Sequence, residues 1–344
     1  MKLKITALAL AAAIGLNPLP AAAETDLSFN IFFPPTHYIW PVFQTWADDV
    51  SKATGGEVKI TFPAKSVAPP PGVMDAVRNG VADAGFVFNG FIAKNAPATL
   101  ISQMPWLNLG DTAAVSTALW DTYTAEFAEH ENLRGVELIS MFNLGPAYLC
   151  STTDDPIETL EHLQQRRIWA LPGTIANTFS AMDLAIVAGP AVQVQELTSR
   201  NTVDAHMGLT AETIVSFGVA PYTKSCVDML PSMQSANFSV FVNDRAWKRL
   251  SDENRAAVRE LSGAELARRI GEATNEAEAA ALTKLQEMGV VFNEPSDGLI
   301  TAIGEASGKI AASWAESVSK KYGTDTSAIL DALAAEIQAR TENK

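Results

Sequence analysis

The sequence predicts an α/β fold arranged as two lobes with a cleft between them. Three observations carry that expectation. Short apolar runs alternate with helix-patterned segments from residue 26 onward, the β-α-β order that gives parallel sheets with helices on their faces. A second run of the same kind begins near residue 136. No low-complexity linker separates the two runs, so the chain should cross between two lobes more than once and leave a cleft at their boundary.

Residues 26–33 alternate apolar and polar side chains and stop at Pro34-Pro35, as a strand does. Thr36 offers a cap for a helix running to about 54, in which Trp40, Phe43, Trp46 and Val50 recur at three- and four-residue steps. Gly55-Gly56 ends it and 57–62 is the next strand. Pro69-Pro70-Pro71-Gly72 marks a loop before a helix through Met74, Ala76 and Val77, and 83–88 reads as a short buried strand. In the second run, 136–142, 147–151, 166–171, 203–206, 223–230 and 237–243 read as strands, with helices over about 157–164 and from Thr174. From 252 to about 288 the chain has no proline and is rich in Ala, Glu, Arg and Leu, so it reads as one long helix capped by Ser251 or Asp252. Two alanine-rich helices, about 296–321 and 326–341, close the chain.

The N-terminus carries Lys2 and Lys4, an apolar run over 5–16, then Asn17-Pro18-Leu19-Pro20 and Ala21-Ala22-Ala23 before Glu24. That charged, apolar, small-residue order is a cleavable secretory signal over 1–23. The run is shorter than the roughly 20 residues that span a bilayer, and no cysteine follows it for lipid attachment. The expected mature protein is soluble and periplasmic. In that compartment disulfides persist. Cys150 and Cys226, both in strand-like runs, are therefore either bonded to each other or two buried free thiols.

Composition removes several classes of function. With 39 acidic against 25 basic residues and a net charge of −14, the chain is a poor match for nucleic acid, whose phosphates call for Lys and Arg. Two cysteines and four histidines, at 37, 130, 162 and 206, leave little for a metal site. No serine has glycine two before and two after it, and Gly304-Glu305-Ala306-Ser307-Gly308-Lys309-Ile310 is one residue short of a phosphate loop. His130-Glu131 lacks the second histidine of a zinc protease. No catalytic constellation emerges, and the chain is not expected to be an enzyme.

Five segments, in order, carry a resemblance. They are Phe33-Pro34-Pro35-Thr36-His37, Ala53-Thr54-Gly55-Gly56-Glu57-Val58-Lys59-Ile60, and Ala76-Val77-Arg78-Asn79-Gly80-Val81-Ala82-Asp83-Ala84-Gly85. The fourth is Glu196-Leu197-Thr198-Ser199-Arg200-Asn201-Thr202-Val203-Asp204-Ala205, and the fifth is Phe238-Ser239-Val240-Phe241-Val242-Asn243 with Trp247 and Leu250 before the long helix. Over nearly the whole mature chain the sequence resembles the periplasmic solute-binding proteins of TRAP transporters, the DctP-type family. The resemblance implies a two-lobed α/β periplasmic binding protein with a ligand cleft between the lobes and a long helix spanning both. Lobe I would comprise 24–149 plus about 236–275, and lobe II 150–235 plus about 276–344. The solute would close the lobes about a hinge near 148–150 and 230–238. The protein would then dock on a small and a large membrane subunit; a ligand-sensing subunit feeding a membrane receptor would use the same fold. A monomer without a cofactor is expected.

One family mark is absent. The family pairs a solute carboxylate with an Arg in a segment that here reads Leu163-Gln164-Gln165-Arg166-Arg167-Ile168-Trp169-Ala170-Leu171-Pro172-Gly173. Counting forward from Leu163 puts Trp169 at that position, and counting back from Pro172-Gly173 puts Ala170 there. Strand alternation sets Arg167, Trp169 and Leu171 on one face, so Arg167 is a possible carboxylate partner from two residues upstream. The remaining expected cleft residues are His37, Tyr38, Phe88, Asn89, Tyr148, Met207, Gly208, Thr210 and Glu212, with Trp40 assigned to the core. The resemblance implies an organic acid as solute, its charge met by backbone N–H groups, Arg167 or a bridging metal ion. The aromatic, cation-poor cleft with Glu212 nearby suits instead a cationic amine, or a neutral solute stacked on Trp169.

Overall fold

The computed structural model describes residues 24–105, 107, 111–131, 133–227 and 236–343. The expected signal (1–23), the end of the expected strand 223–230 and residues 230–235 of the expected hinge lie outside the described residues.

The chain opens with β1 (Thr25–Asn30), α1 (Ile39–Ala53), β2 (Val58–Thr61), α2 (Val73–Arg78), β3 (Ala84–Phe88) and the one-turn α3 (Asn89–Ile92). α4 (Thr112–Glu126) and β4 (Val136–Asn143) follow. β5 (Tyr148–Ser151) and α5 (Leu160–Gln164) begin the second run, which continues through β6 (Arg167–Ala170), α6 (Thr174–Ala181), β7 (Ala185–Ala188), α7 (Val194–Ser199), β8 (Ala205–Leu209), α8 (Ala211–Ser216) and β9 (Ser225–Val227). The last part holds β10 (Asn237–Asn243), α9 (Asp244–Arg249), α10 (Asp252–Glu260), α11 (Gly263–Glu287), β11 (Val291–Asn293), α12 (Asp297–Tyr322) and α13 (Thr326–Glu342).

The strands form two sheets, in the orders β2-β1-β3-β10-β4 and β11-β9-β5-β8-β6-β7. β1, β2 and β3 are parallel, and β10 runs antiparallel between β3 and β4. In the second sheet β6, β7 and β8 are parallel, as are β9 and β11, while β5 is antiparallel to β8 and β9. Successive strands β4 and β5 lie in different sheets, so the chain crosses at 144–147 and returns to the first sheet by β10. Two α/β lobes result. Lobe I packs an aromatic core in which Phe29, Phe43, Phe86, Phe142 and Phe238 lie within ring contact of one another. Cys150 and Cys226 face each other in the β5–β9 register and are joined in a disulfide.

Four departures from the sequence reading have physical causes. Helix α1 starts at Ile39 rather than after a Thr36 cap. A turn from Pro34 to His37 precedes it, His37 Nδ1 accepts the Ile39 N–H at 3.2 Å, and Thr36 Oγ1 donates to the Ser216 carbonyl across the lobes. The single helix over 252–288 is two, α10 and α11, because Gly263 adopts φ +53°, a left-handed conformation that α-helix does not continue through. Helix α4 gave no clear helical period, since Thr112, Ala113, Ala114, Val115 and Ser116 are buried in succession and exposed residues, Asp121, Ala125 and Glu126, come only in its second half. Finally, the segment 276–344 assigned to lobe II is divided. β11 joins the lobe II sheet, but Leu333 and Ile337 of α13 pack with Leu119, Tyr123 and Phe127 of lobe I.

Candidate functional site

The C-terminal ends of parallel strands β1, β3, β6 and β8 all point at the seam between the lobes, the place where open α/β sheets bind ligands. A cavity of about 30 Å³ lies there. Lobe I supplies Phe33, Pro70, Phe88, Phe91, Leu144, Ala236 and Phe238, and lobe II supplies Leu171, Pro190, Ala191, Val192, Gly208, Leu209, Thr213 and Phe217. Among these residues Thr213 alone has a side chain that forms ordinary hydrogen bonds, and none is basic. The space holds roughly two water molecules, so a ring-sized solute enters only when the lobes part or the lining side chains turn.

The lobes meet around this cavity. Phe33 and Phe217 stand edge to face at 5.5 Å, and Phe33 also packs on His37 and Phe238. His37 Nε2 lies 2.9 Å from Glu212 Oε2, although the ring is off the line of an ideal hydrogen bond. Behind that pair, the Tyr38 hydroxyl meets Thr274 Oγ1 at 2.6 Å. Burial pushes the Tyr38 phenol well above its ordinary range, and the Glu212 and Glu278 carboxyls add to that push. On the same side, Glu278 of α11 accepts the backbone N–H groups of Ala211 and Glu212 at 3.0 and 3.1 Å. Thr210 caps α8 by accepting the Thr213 N–H.

Of the residues expected in the cleft, Phe88 and Gly208 line the cavity. His37, Tyr38 and Glu212 form the polar contact just described, and Trp40 packs on lobe I with its Nε1 donating to the Phe33 carbonyl. Asn89 is buried with both ends of its amide engaged inside lobe I, by Ser239 and Thr99. Tyr148 packs against Phe292, and the Met207 carbonyl accepts the Leu171 N–H. Trp169 is fully buried, is not among the lining residues, and its Nε1 has no hydrogen-bond partner among the described residues. Arg167 is more than half exposed and pairs with Asp204 at 3.1 Å.

Sequence reasoning did not name most of the apolar lining. Leu171 was within reach, because it shares a strand face with Trp169 and stands at the strand's end. Phe238 was not, since it enters only through the β10–β3 register, where it sits opposite Phe88. Glu278 gave no signal within an alanine-rich helix. Among the described residues no group of three or more His, Cys, Asp or Glu is placed to hold a metal ion, and no helix is long and apolar enough to cross a membrane.

Two α/β lobes with a small apolar cavity at their seam define a protein of the two-lobed binding class. The chain belongs to the bacterial extracellular solute-binding proteins, family 7 (DctP), whose sequence pattern matches residues 29–317. It is similar to a Comamonas testosteroni protein described as outer membrane transporter protein TsaT, with 25% identity over 313 residues, 90% of this chain and 92% of that one. A TRAP periplasmic solute-binding protein from Bordetella bronchiseptica, solved with bound (R)- and (S)-mandelate, superposes with a TM-score of 0.86. It is 28% identical and covers 92% of this chain and 99% of its own. The fold also matches a Rhodoferax ferrireducens TRAP solute-binding protein with copurified benzoate (TM-score 0.82, 19% identity, 92% and 99% covered). A Bordetella pertussis receptor binding pyroglutamic acid, DctP7, matches likewise (TM-score 0.78, 22% identity, 90% and 99% covered).

Proposed function

We propose that this chain is the periplasmic solute-binding component of a TRAP transporter that captures a small organic acid with an aromatic or similarly apolar body. It releases that solute unchanged to a small and a large membrane subunit. The observation that carries the reading is the lining of the inter-lobe cavity, with five phenylalanines and several aliphatic side chains drawn from both lobes. A flat apolar body removes this lining from water and gains about 25 cal/mol per Å² of apolar surface covered. The mandelate-bound relative supports an acid of that shape. With no guanidinium among the described lining residues, the carboxylate is met by the Thr213 hydroxyl and backbone N–H groups, since a carboxylate buried without donors is far too costly.

The same lining favours a second reading on one specific observation. Glu212 adjoins the lining residue Thr213 and gives its N–H to Glu278, so two carboxyl groups stand behind this part of the wall, an environment that suits a cationic aryl amine. Thermal-shift measurements with benzoate, mandelate, pyroglutamate, benzylamine and glycerol separate these readings. A ligand at about 100 times its dissociation constant stabilises the protein by roughly 2.7 kcal/mol. Stabilisation by benzoate or mandelate and not by the others supports the aromatic acid. Stabilisation by benzylamine alone rejects it. Chromatography of the released ligand should recover it unaltered, and a product would identify an enzyme instead.

A further inference from the structure

Glu278 is an acid in the interior, 7% exposed, on a helix that packs against both lobes. Its carboxylate serves two adjacent backbone donors of lobe II, Oε2 accepting from Ala211 and Oε1 from Glu212. Those N–H groups open α8, and the same stretch of chain gives Gly208, Leu209 and Thr213 to the cavity. The other side of Glu278 lies against Gly145, in the segment that carries the chain from one lobe to the other. A Cβ at 145 would come within 2.8 Å of Glu278 Cγ, so a side chain there would push Glu278 aside. One carboxylate therefore touches the spanning helix, the crossing segment and the cavity wall.

We infer that Glu278 is a positioning residue of the solute site: its ionised carboxylate holds the cavity-lining loop 208–213 against the crossing segment, and protonation loosens that hold. The chemistry is one of acceptor capacity. A carboxylate offers both oxygens to N–H donors, whereas a protonated carboxyl turns one of them into a hydroxyl. Burial pushes the Glu278 carboxyl up to about 7 against the pull of its Thr210, Glu212 and Ala211 donors, so its state changes near neutral pH. The titratable groups facing it are Glu212 of α8, Tyr38 at the head of α1 and, beyond Glu212, His37. Tyr38 is raised by its own burial and stays neutral throughout.

The test follows the amide ¹H and ¹⁵N shifts of Ala211 and Glu212 in the solute-free protein from pH 5 to pH 9. Wild type should show one inflection near neutral pH, and Glu278→Gln should show none. A flat wild-type profile, or the same inflection in Glu278→Gln, overturns the inference. Should Glu278→Gln fail to fold, Gly145→Ala decides. Displacing Glu278 must move the midpoint, and an unchanged midpoint overturns the inference. A second arm rests on the solute reading proposed above. Calorimetry with benzoate at pH 6 and pH 8 should find roughly five-fold weaker binding at pH 6 in wild type and equal binding in Glu278→Gln. Equal wild-type affinities overturn the inference. If benzoate gives no heat at either pH, the proposed solute is rejected and the amide titration alone decides Glu278.

Discussion

His37 of lobe I and Glu212 of lobe II meet with their side chains 2.9 Å apart, and both are nearly buried. The Ile39 N–H occupies His37 Nδ1, so a neutral ring carries its proton on Nε2, facing the carboxylate. This contact exists only while the lobes are together. Its neighbours Phe33 and Phe217 line the cavity from opposite sides, so the pair closes the same seam that holds the cavity.

His37→Gln and Glu212→Gln are therefore each expected to weaken benzoate binding while leaving the isolated lobes folded. A double-mutant cycle by calorimetry should return a coupling on the order of 1–3 kcal/mol, the cost of leaving a buried polar group without its partner. Additive single effects would show that the two side chains do not act together.

The disulfide is expected to be present in the exported protein. Thiol titration of the denatured, unreduced chain should find none free. Replacing both Cys150 and Cys226 by alanine should lower stability by about 2–4 kcal/mol, because the bond closes a long loop in the unfolded chain. Two titratable thiols in the native preparation would refute it.

Two buried groups should shape the pH dependence of stability in opposite directions. Burial pushes His206 down to about 3 from an ordinary 6.5, so its contribution is complete above 6.5 and is lost as pH falls toward 3. Burial pushes Glu278 up to about 7 from an ordinary 4.5, so its contribution to the stability of the protein as a whole is complete below 4.5, where it is protonated, and that desolvation advantage is lost as pH rises through 7. The loss occurs even as ionisation tightens its local hold on the Ala211 and Glu212 N–H groups. Between those ordinary values the two slopes cancel. Calorimetric scans from pH 3.5 to 8.5 should show His206→Gln flattening the acid side and Glu278→Gln the neutral side. Profiles that keep the wild-type slopes in both variants would remove these groups as the cause.

Trp169→Ala should lower stability by about 3–5 kcal/mol, as expected for emptying a fully buried ring. Arg167→Ala should change stability by at most about 1 kcal/mol, since an exposed ion pair with Asp204 contributes little. Affinity for benzoate separates their roles further. Lost binding in Arg167→Ala with native stability would mean that this guanidinium reaches the solute when the lobes open.

The alternation of strand and helix made both lobes legible, because half-buried strands and amphipathic helices leave their periods in the sequence. α4 was not legible for the opposite reason. Its first half is packed all round, and a period needs a solvent face. The cavity was legible only where a strand end or loop announces itself, as at Phe88 and Gly208. Leu171, Phe217 and Phe238 are ordinary core residues by type, and what makes them lining is the register of two sheets and the approach of two lobes. Trp169 attracted attention by its type and position, yet whether a strand face looks into a cavity or into a core depends on what packs on it. Similarly, Thr36 carries the right hydroxyl for a cap and spends it on Ser216 instead.

Helix α12 has a mechanical consequence. Its 26 residues make a rod about 39 Å long. One end begins where the Ser296 N–H meets the Glu158 carbonyl of lobe II. Towards the other end, Trp314 donates to Pro97 and Tyr322 to Glu131, both in lobe I. A hydrogen-bonded rod hardly stretches, so it works like the stay on a window, permitting rotation and resisting separation. Any rotation of one lobe on the other would then be set partly by anchor points outside the cavity, so changes at Glu131 or Glu158 would retune the gape without touching a residue of the cavity lining.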